Sequence, residues 1–188
     1  MLLNPNELGT VTVKKGVVMI SIGKIEELDS ILKLTRTCGQ HMRDNGIDQW
    51  DADYPNREVI LQDLQTQTLF AYREHKEVLG IVVLNESQDE EYAEINWSTD
   101  ETERNIVVHR LAVRPDQQRK GIARRLMDFA EQWARDNHYD AIRLDTFSQN
   151  PRNQRFYLNR GYTDLGPVYL KYKKDHPYYC YELLLKKE

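Results

Sequence analysis

Five cations, Arg114, Arg119, Lys120, Arg124 and Arg125, close around one glycine, Gly121, and this is where the chain could first do chemistry. An apolar stretch precedes them and a helical pattern follows. A turn that leads straight into a helix leaves several backbone N–H groups unpaired and facing the same way. Such a start accepts an anion, and a glycine there lets a bulky phosphate approach without meeting a Cβ. The surrounding guanidinium and ammonium groups add positive potential. The stretch therefore reads as a phosphate or pyrophosphate cradle. Neither the GxGxxG nor the GxxxxGK[ST] nucleotide pattern is present. Strand, proline turn and glycine-started helix are also ordinary α/β architecture, so a second signal is needed.

The elements that must position these residues are legible on both sides. Ile106, Val107, Val108, Leu111, Ala112 and Val113 predict a strand rich in β-branched residues, with polar His109 and Arg110 set into it. Pro115 ends it, having no N–H for the ladder. Ile122, Leu126, Phe129, Ala130 and Trp133 recur at helical spacing and predict a helix ending near Asn137. Ala141 to Thr146 then reads as a strand, placed by the crossover in parallel with Ile106 to Val113. Asn150-Pro151 opens a short helix to Asn159, and Gly161 suits its C-terminal cap.

The run Gln118-Arg119-Lys120-Gly121-Ile122-Ala123 resembles the acyl-CoA-binding signature of the GNAT N-acetyltransferase superfamily: Gln or Arg, two residues, Gly, one residue, then Gly or Ala. Leu111-Ala112-Val113-Arg114-Pro115 resembles the strand leading into it. Asn150, Asn153, Phe156, Tyr157 and Gly161-Tyr162 resemble the family's later motif. Arg119 stands where many members have glycine, and Ala123 replaces the commoner second glycine. The resemblance implies acetyl-CoA as cofactor and CoA as product. It assigns the pantetheine arm to the main chain of Leu111, Ala112 and Val113. The pyrophosphate falls to the backbone of Gln118, Arg119, Lys120, Gly121, Ile122 and Ala123, while Asn150 and Asn153 orient the arm. Tyr157 matches the tyrosine that donates a proton to the leaving thiolate, with packing on the sheet as its alternative role. Asn150 has a plain helix cap as its own.

Acyl transfer to an amine needs no metal and no covalent nucleophile, only a deprotonated amine, oxyanion stabilisation and an acid for the thiolate. For the base, Glu94, His109 and an ordered water chain all stay open. The resemblance puts Trp50 and Tyr54 near the acceptor; both could equally pin a loop to the core. The eight carboxylates from Glu86 to Glu103 read first as the solvated surface of a hairpin; they could also draw a cationic acceptor, most simply a small amine, with a protein amine as the other option. The five histidines have no zinc-like spacing, so no metal is expected. A non-catalytic acyl-CoA-binding or protein-interaction module of the same fold is the competing class.

Length and composition fit a single domain over residues 1–188, with 40% apolar and 30% charged residues. The expected fold is α/β (α+β), a mixed, mostly antiparallel sheet of six or seven strands flanked by helices. A net charge of −4 argues against nucleic acid as partner. No run is long and apolar enough for a membrane span, and the N-terminus resembles no secretory signal, so a cytoplasmic location is the default. Cys38 and Cys180 read as buried thiols.

Upstream, residues 1–16 could form an edge strand or arm, and Val18 to Ile22 the first secure strand. The next helix runs from Ile25 to Met42, with Gly39 weakening its end, and a second opens at Asp53 or Pro55. Leu69 to Arg73 and Val78 to Leu84 pair as a hairpin, with a bulge near Gly80, and Tyr92 to Trp97 is expected as a further strand. Tyr178 to Leu185 completes a closing hairpin, whose tyrosines Tyr178, Tyr179 and Tyr181, if exposed, could support a homodimer contact.

Overall fold

The computed structural model describes residues 18–100, 102–171 and 176–185. Among these, seven strands form a mixed sheet flanked by helices, as the sequence predicts. They are β1 (Val18–Ile22), β2 (Leu69–Glu74), β3 (Glu77–Asn85), β4 (Asn105–Val113), β5 (Ala141–Phe147), β6 (Thr163–Val168) and β7 (Tyr178–Leu184). Their order across the sheet is β1-β2-β3-β4-β5-β7-β6. The helices are α1 (Leu28–Asp44), α2 (Arg57–Gln65), α3 (Ile122–Asp136) and α4 (Pro151–Leu158). The arm expected over residues 1–16 lies outside the described residues. Two compact units interleave along the chain, one holding residues up to Leu84 with His109–Trp133, the other Asn85–Val108 with the residues from Ala134 onward.

In the first unit, β1 and β3 flank β2 in antiparallel register. Leu28, Ile31, Leu32 and Cys38 are buried along α1, with buried Thr35 midway between the last two, so the three- and four-residue steps put one face of that helix in the core. The apolar residues of this set form a cluster with Ile60 and Leu64 of α2 and with Leu69, Ala71, Ile81 and Val83 of the hairpin. The cap of α2 is Asn56, whose side chain accepts the Val59 N–H at 2.9 Å, so the helix starts after Asp53 and Pro55. Gly39 does not interrupt α1. A Cβ there would stand 3.3 Å from Arg43 Nη1 and 3.7 Å from Trp50 Cβ, so the glycine makes room for the Trp50 segment.

The opposite face of the hairpin receives α3 through Phe70, whose ring centroid lies 4.9 Å from Phe129 and 5.8 Å from Trp133. Gly80 is demanded by close approach. Its Cβ would fall 3.0 Å from the Ala112 carbonyl oxygen and 3.1 Å from both Ile122 and Leu126. The expected bulge is present beside it, as a register shift between Tyr72 and Arg73.

In the second unit, β5 pairs in parallel with Asn105–Val107 of β4 and antiparallel with β7, which in turn pairs antiparallel with β6. The crossover and the closing hairpin are thus as predicted. The strand expected over Tyr92–Trp97 is not formed; Glu90–Glu94 is a 3₁₀ turn. Local closure outcompetes a ladder there. Tyr92 is buried, its ring packs at a 45° tilt against Trp97 with centroids 5.2 Å apart, and the Trp97 indole N–H donates back to the Tyr92 carbonyl at 2.8 Å. The Arg143 guanidinium sits 4.2 Å over the Trp97 ring and bonds Thr99, Gln88 and Glu182. The aromatics that suggested a strand are anchors of a loop. Tyr178 and Tyr181 are also corrected, because both are buried and offer no exposed surface for a dimer.

Candidate active site

The turn after β4 is built by a reversal of backbone hand. Pro115–Gln117 forms a 3₁₀ turn, Gln118 is extended at ψ 163°, and Arg119 and Gly121 both take positive φ, +63° and +81°. Alternating hand of this kind turns successive N–H groups toward one side. The left-handed φ at Arg119 is one that glycine takes without strain and an L side chain does not. Helix α3 begins at once. The Arg125 N–H bonds the Gly121 carbonyl at 3.1 Å, which leaves the amides of Ile122, Ala123 and Arg124 without an acceptor in the first turn. Among the described residues, no amide from Arg119 to Arg124 makes a backbone bond outside the helix. A Cβ built on Gly121 would meet nothing within 4 Å, so the approach is open.

The charges around this turn are not equal. Arg114 is neutralised by Asp116, at 2.7 Å, and by Glu77. Arg125 donates to the Tyr72 hydroxyl at 2.7 Å, and Lys120 to Gln117 at 2.8 Å. Arg119 and Arg124 are exposed and make no ion pair among the described residues, so they and Lys120 supply the field. Of the expected cations, Arg114 contributes least.

Leading into the turn, Leu111 is half-buried while Ala112 and Val113 are buried. The Val113 carbonyl accepts both the Cys38 thiol and the Gln118 side-chain amide, each at 3.3 Å, so Gln118 braces the turn against its own strand. Burial pushes the Cys38 thiol up to about 12. His109 is half-buried in β4. Beside it, Arg110 has φ +47° and forks onto Asp63 of α2 through Nε and Nη2, while Nη1 donates to the Tyr54 hydroxyl at 2.9 Å. Tyr54 is half-buried. Trp50 is buried in the core cluster, its carbonyl held by Arg43 at 2.8 Å, and so pins its loop.

The second unit holds the remaining candidates. Asn150 is buried and caps α4, its side chain accepting the Asn153 N–H at 3.2 Å. Asn153 reaches the Thr146 hydroxyl at 3.4 Å. Tyr157 is buried, with Tyr162 and Tyr181 rings 5.8 and 5.9 Å away. Burial, with Asp145 adding to it, raises its phenol above the ordinary range, so it stays protonated at neutral pH. Glu94 ends the 3₁₀ turn and is exposed.

Two pairs went unseen in the sequence: Arg110 with Asp63, and Tyr92, whose hydroxyl donates to Asp145 at 2.6 Å. Burial, then the Asp145 charge, raises Tyr92 well above its usual range. A polar Arg inside an apolar strand was the one available signal for the first pair. Among the described residues no group of His, Cys, Asp and Glu side chains could hold a metal, and no helix is long and apolar enough to cross a membrane.

Comparison with known proteins gives consistent matches. The model of the acetyltransferase (GNAT) family matches residues 28–162. The uncharacterized N-acetyltransferase YesJ of Bacillus subtilis is 26% identical over 143 residues, 75% of this chain and 79% of that protein. A GNAT-family acetyltransferase structure from Streptococcus agalactiae superposes with a TM-score of 0.77 at 22% identity, covering 91% of this chain and 97% of that one. The structure of yncA from Salmonella typhimurium, solved with its cofactor acetyl-CoA, superposes at 0.69 with 16% identity over 91% and 95%.

Proposed function

The chain belongs to the acetyltransferase (GNAT) family, and from that premise we propose that it moves an acetyl group from acetyl-CoA to the primary amine of a small cationic acceptor. The observation that carries this reading is the open turn at Arg119–Gly121, with its unbonded amides at the start of α3. Those donors, with Lys120, Arg119 and Arg124 around them, suit a diphosphate. The backbone of Leu111, Ala112 and Val113 takes the adjoining arm, and Asn150 and Asn153 steady it. When bound, acetyl-CoA supplies an activated thioester carbonyl and a thiolate leaving group.

The acceptor amine attacks directly, without an acyl-enzyme. Both thiols, Cys38 and Cys180, are buried and raised by desolvation, so neither provides a thiolate at neutral pH. Tyr157 holds a proton at its phenol oxygen for the departing sulfur. The ammonium proton leaves to the Glu94 carboxylate, the His109 imidazole or water. Tyr54, with Trp50 behind it, borders the acceptor. The carboxylates between Glu86 and Glu103 favour a cation, and Glu94 is exposed among them.

Calorimetry with acetyl-CoA, followed by thiol release on a panel of polyamines, aminated small molecules and neutral amines, tests this reading. Binding in the micromolar range and release with cationic amines are expected. Gly121→Glu should abolish binding while leaving the fold intact. No binding by the wild-type chain would remove the assignment. Binding without thiol release on any amine would favour a non-catalytic acyl-CoA-binding module.

A further inference from the structure

Arg110 leaves the extended conformation in the middle of β4. Its φ of +47° lies in the left-handed region, where an L side chain is strained. Such a residue persists where its surroundings over-determine it. Three hydrogen bonds do so here. Nε donates to one Asp63 oxygen at 2.8 Å, Nη2 to the other at 2.7 Å, and Nη1 to the Tyr54 hydroxyl at 2.9 Å. Only 12% of the Arg110 side chain and 6% of that of Asp63 are exposed.

A buried ion pair is a poor source of stability, because desolvation offsets most of the attraction, and an apolar pair would serve a plain core as well. What a bidentate fork adds is direction, since it fixes the guanidinium plane on the carboxylate. Asp63 is held on α2, so the fork fixes the backbone at Arg110 relative to that helix. The next residue is Leu111, where the donor-binding stretch begins.

We propose that Arg110 is a positioning residue: its pairing with Asp63 and Tyr54 holds the left-handed turn in β4 and thereby aims the peptide groups of Leu111 to Val113, a role that rests on reading those groups as contacts of the donor's arm. Misaiming them weakens donor binding before it slows the reaction of bound donor. The loss therefore falls on the Kd and KM for acetyl-CoA rather than on kcat.

The test uses the full chain and the variants Asp63→Asn, Arg110→Lys and Tyr54→Phe. Affinity for CoA is measured by calorimetry, KM and kcat by thiol release, and the folded fraction by circular dichroism. Asp63→Asn and Arg110→Lys are expected to raise the KM for acetyl-CoA and the Kd for CoA roughly tenfold at nearly constant kcat. Tyr54→Phe removes one bond at a half-buried side chain and should raise the same two constants by about threefold. It keeps the test available if Asp63→Asn does not fold. A purely structural role would lower the folded fraction, and with it apparent kcat, at unchanged KM and Kd. That outcome, with wild-type binding intact, overturns the positioning role alone. Absence of CoA binding by the wild-type chain overturns the donor reading, and this role with it.

Discussion

The Cys38 thiol donates to the carbonyl oxygen of Val113 at 3.3 Å, tying the middle of α1 to the last residue of β4. Cys38 is 6% exposed and burial pushes its thiol pKa up to about 12. A raised pKa and closed access together suppress reactivity, because the thiolate is the nucleophile. Both cysteines should resist a disulfide reagent in the native chain up to about pH 9 and react fully in denaturant. Stoichiometric labelling of the native protein within minutes would contradict this burial.

Arg119 holds a backbone conformation suited to glycine, at φ +63°, with its side chain exposed. Arg119→Gly should therefore be more stable than Arg119→Ala, by up to about 1 kcal/mol, because the alanine keeps the strained Cβ and the glycine does not. Urea denaturation of the two variants side by side checks the difference. Both should bind CoA more weakly than wild type at low salt, with the gap closing as salt rises. Equal stability of the glycine and alanine variants would argue against the left-handed turn.

Tyr157→Phe removes a hydroxyl from a buried ring while keeping its packing against Tyr162 and Tyr181. If that hydroxyl protonates the leaving sulfur, kcat should fall roughly a hundredfold with cofactor affinity nearly unchanged. Because burial holds the phenol protonated, wild-type turnover should show no alkaline loss from this group below pH 10. Single-turnover thiol release, where chemistry limits the rate, gives the answer. An unchanged rate would leave Tyr157 as a packing residue.

Glu27 accepts two bonds from Arg73, at 2.7 and 2.6 Å, and one from the Lys24 amide at 2.8 Å. Burial opposes its ionisation, but the bonds from Arg73 and Lys24 outweigh it and hold the carboxyl below the usual range. A carboxyl depressed in the folded state stabilises above its unfolded pKa, and that stabilisation is lost as pH falls through the folded value. Glu27→Gln should thus be destabilising at pH 7, with the difference from wild type shrinking below about pH 4. Thermal denaturation across that range checks the sign. A difference constant with pH would show that the pair contributes nothing electrostatic.

Several elements followed from local chemistry alone. The β-branched run from Ile106, the proline at 115, the helical spacing from Ile122 and the Asn150-Pro151 start each specify their own conformation, and each appears in the structure with shifts of a residue or two. The turn Gln118–Ala123 was legible for the same reason, because a turn running into a helix depends only on neighbouring residues, here a proline, a glycine and the helix start. Residues Tyr92 to Trp97 failed the same treatment. Their alternation mimics a strand, and whether it becomes one depends on Arg143, far along the chain, which takes Trp97 as a cation–π partner.

Tertiary structure alone decided which charges stay available and which are spent on neighbours. Arg114 is cancelled by Glu77 and Asp116, and Arg110 is fixed by Asp63 and Tyr54, pairings between residues that no spacing rule connects. The same holds for Tyr178 and Tyr181, which composition leaves free to be surface or core and packing makes core. Backbone-built features are written in short stretches because their partners are adjacent, whereas side-chain pairs form between whatever segments the sheet and helices bring together.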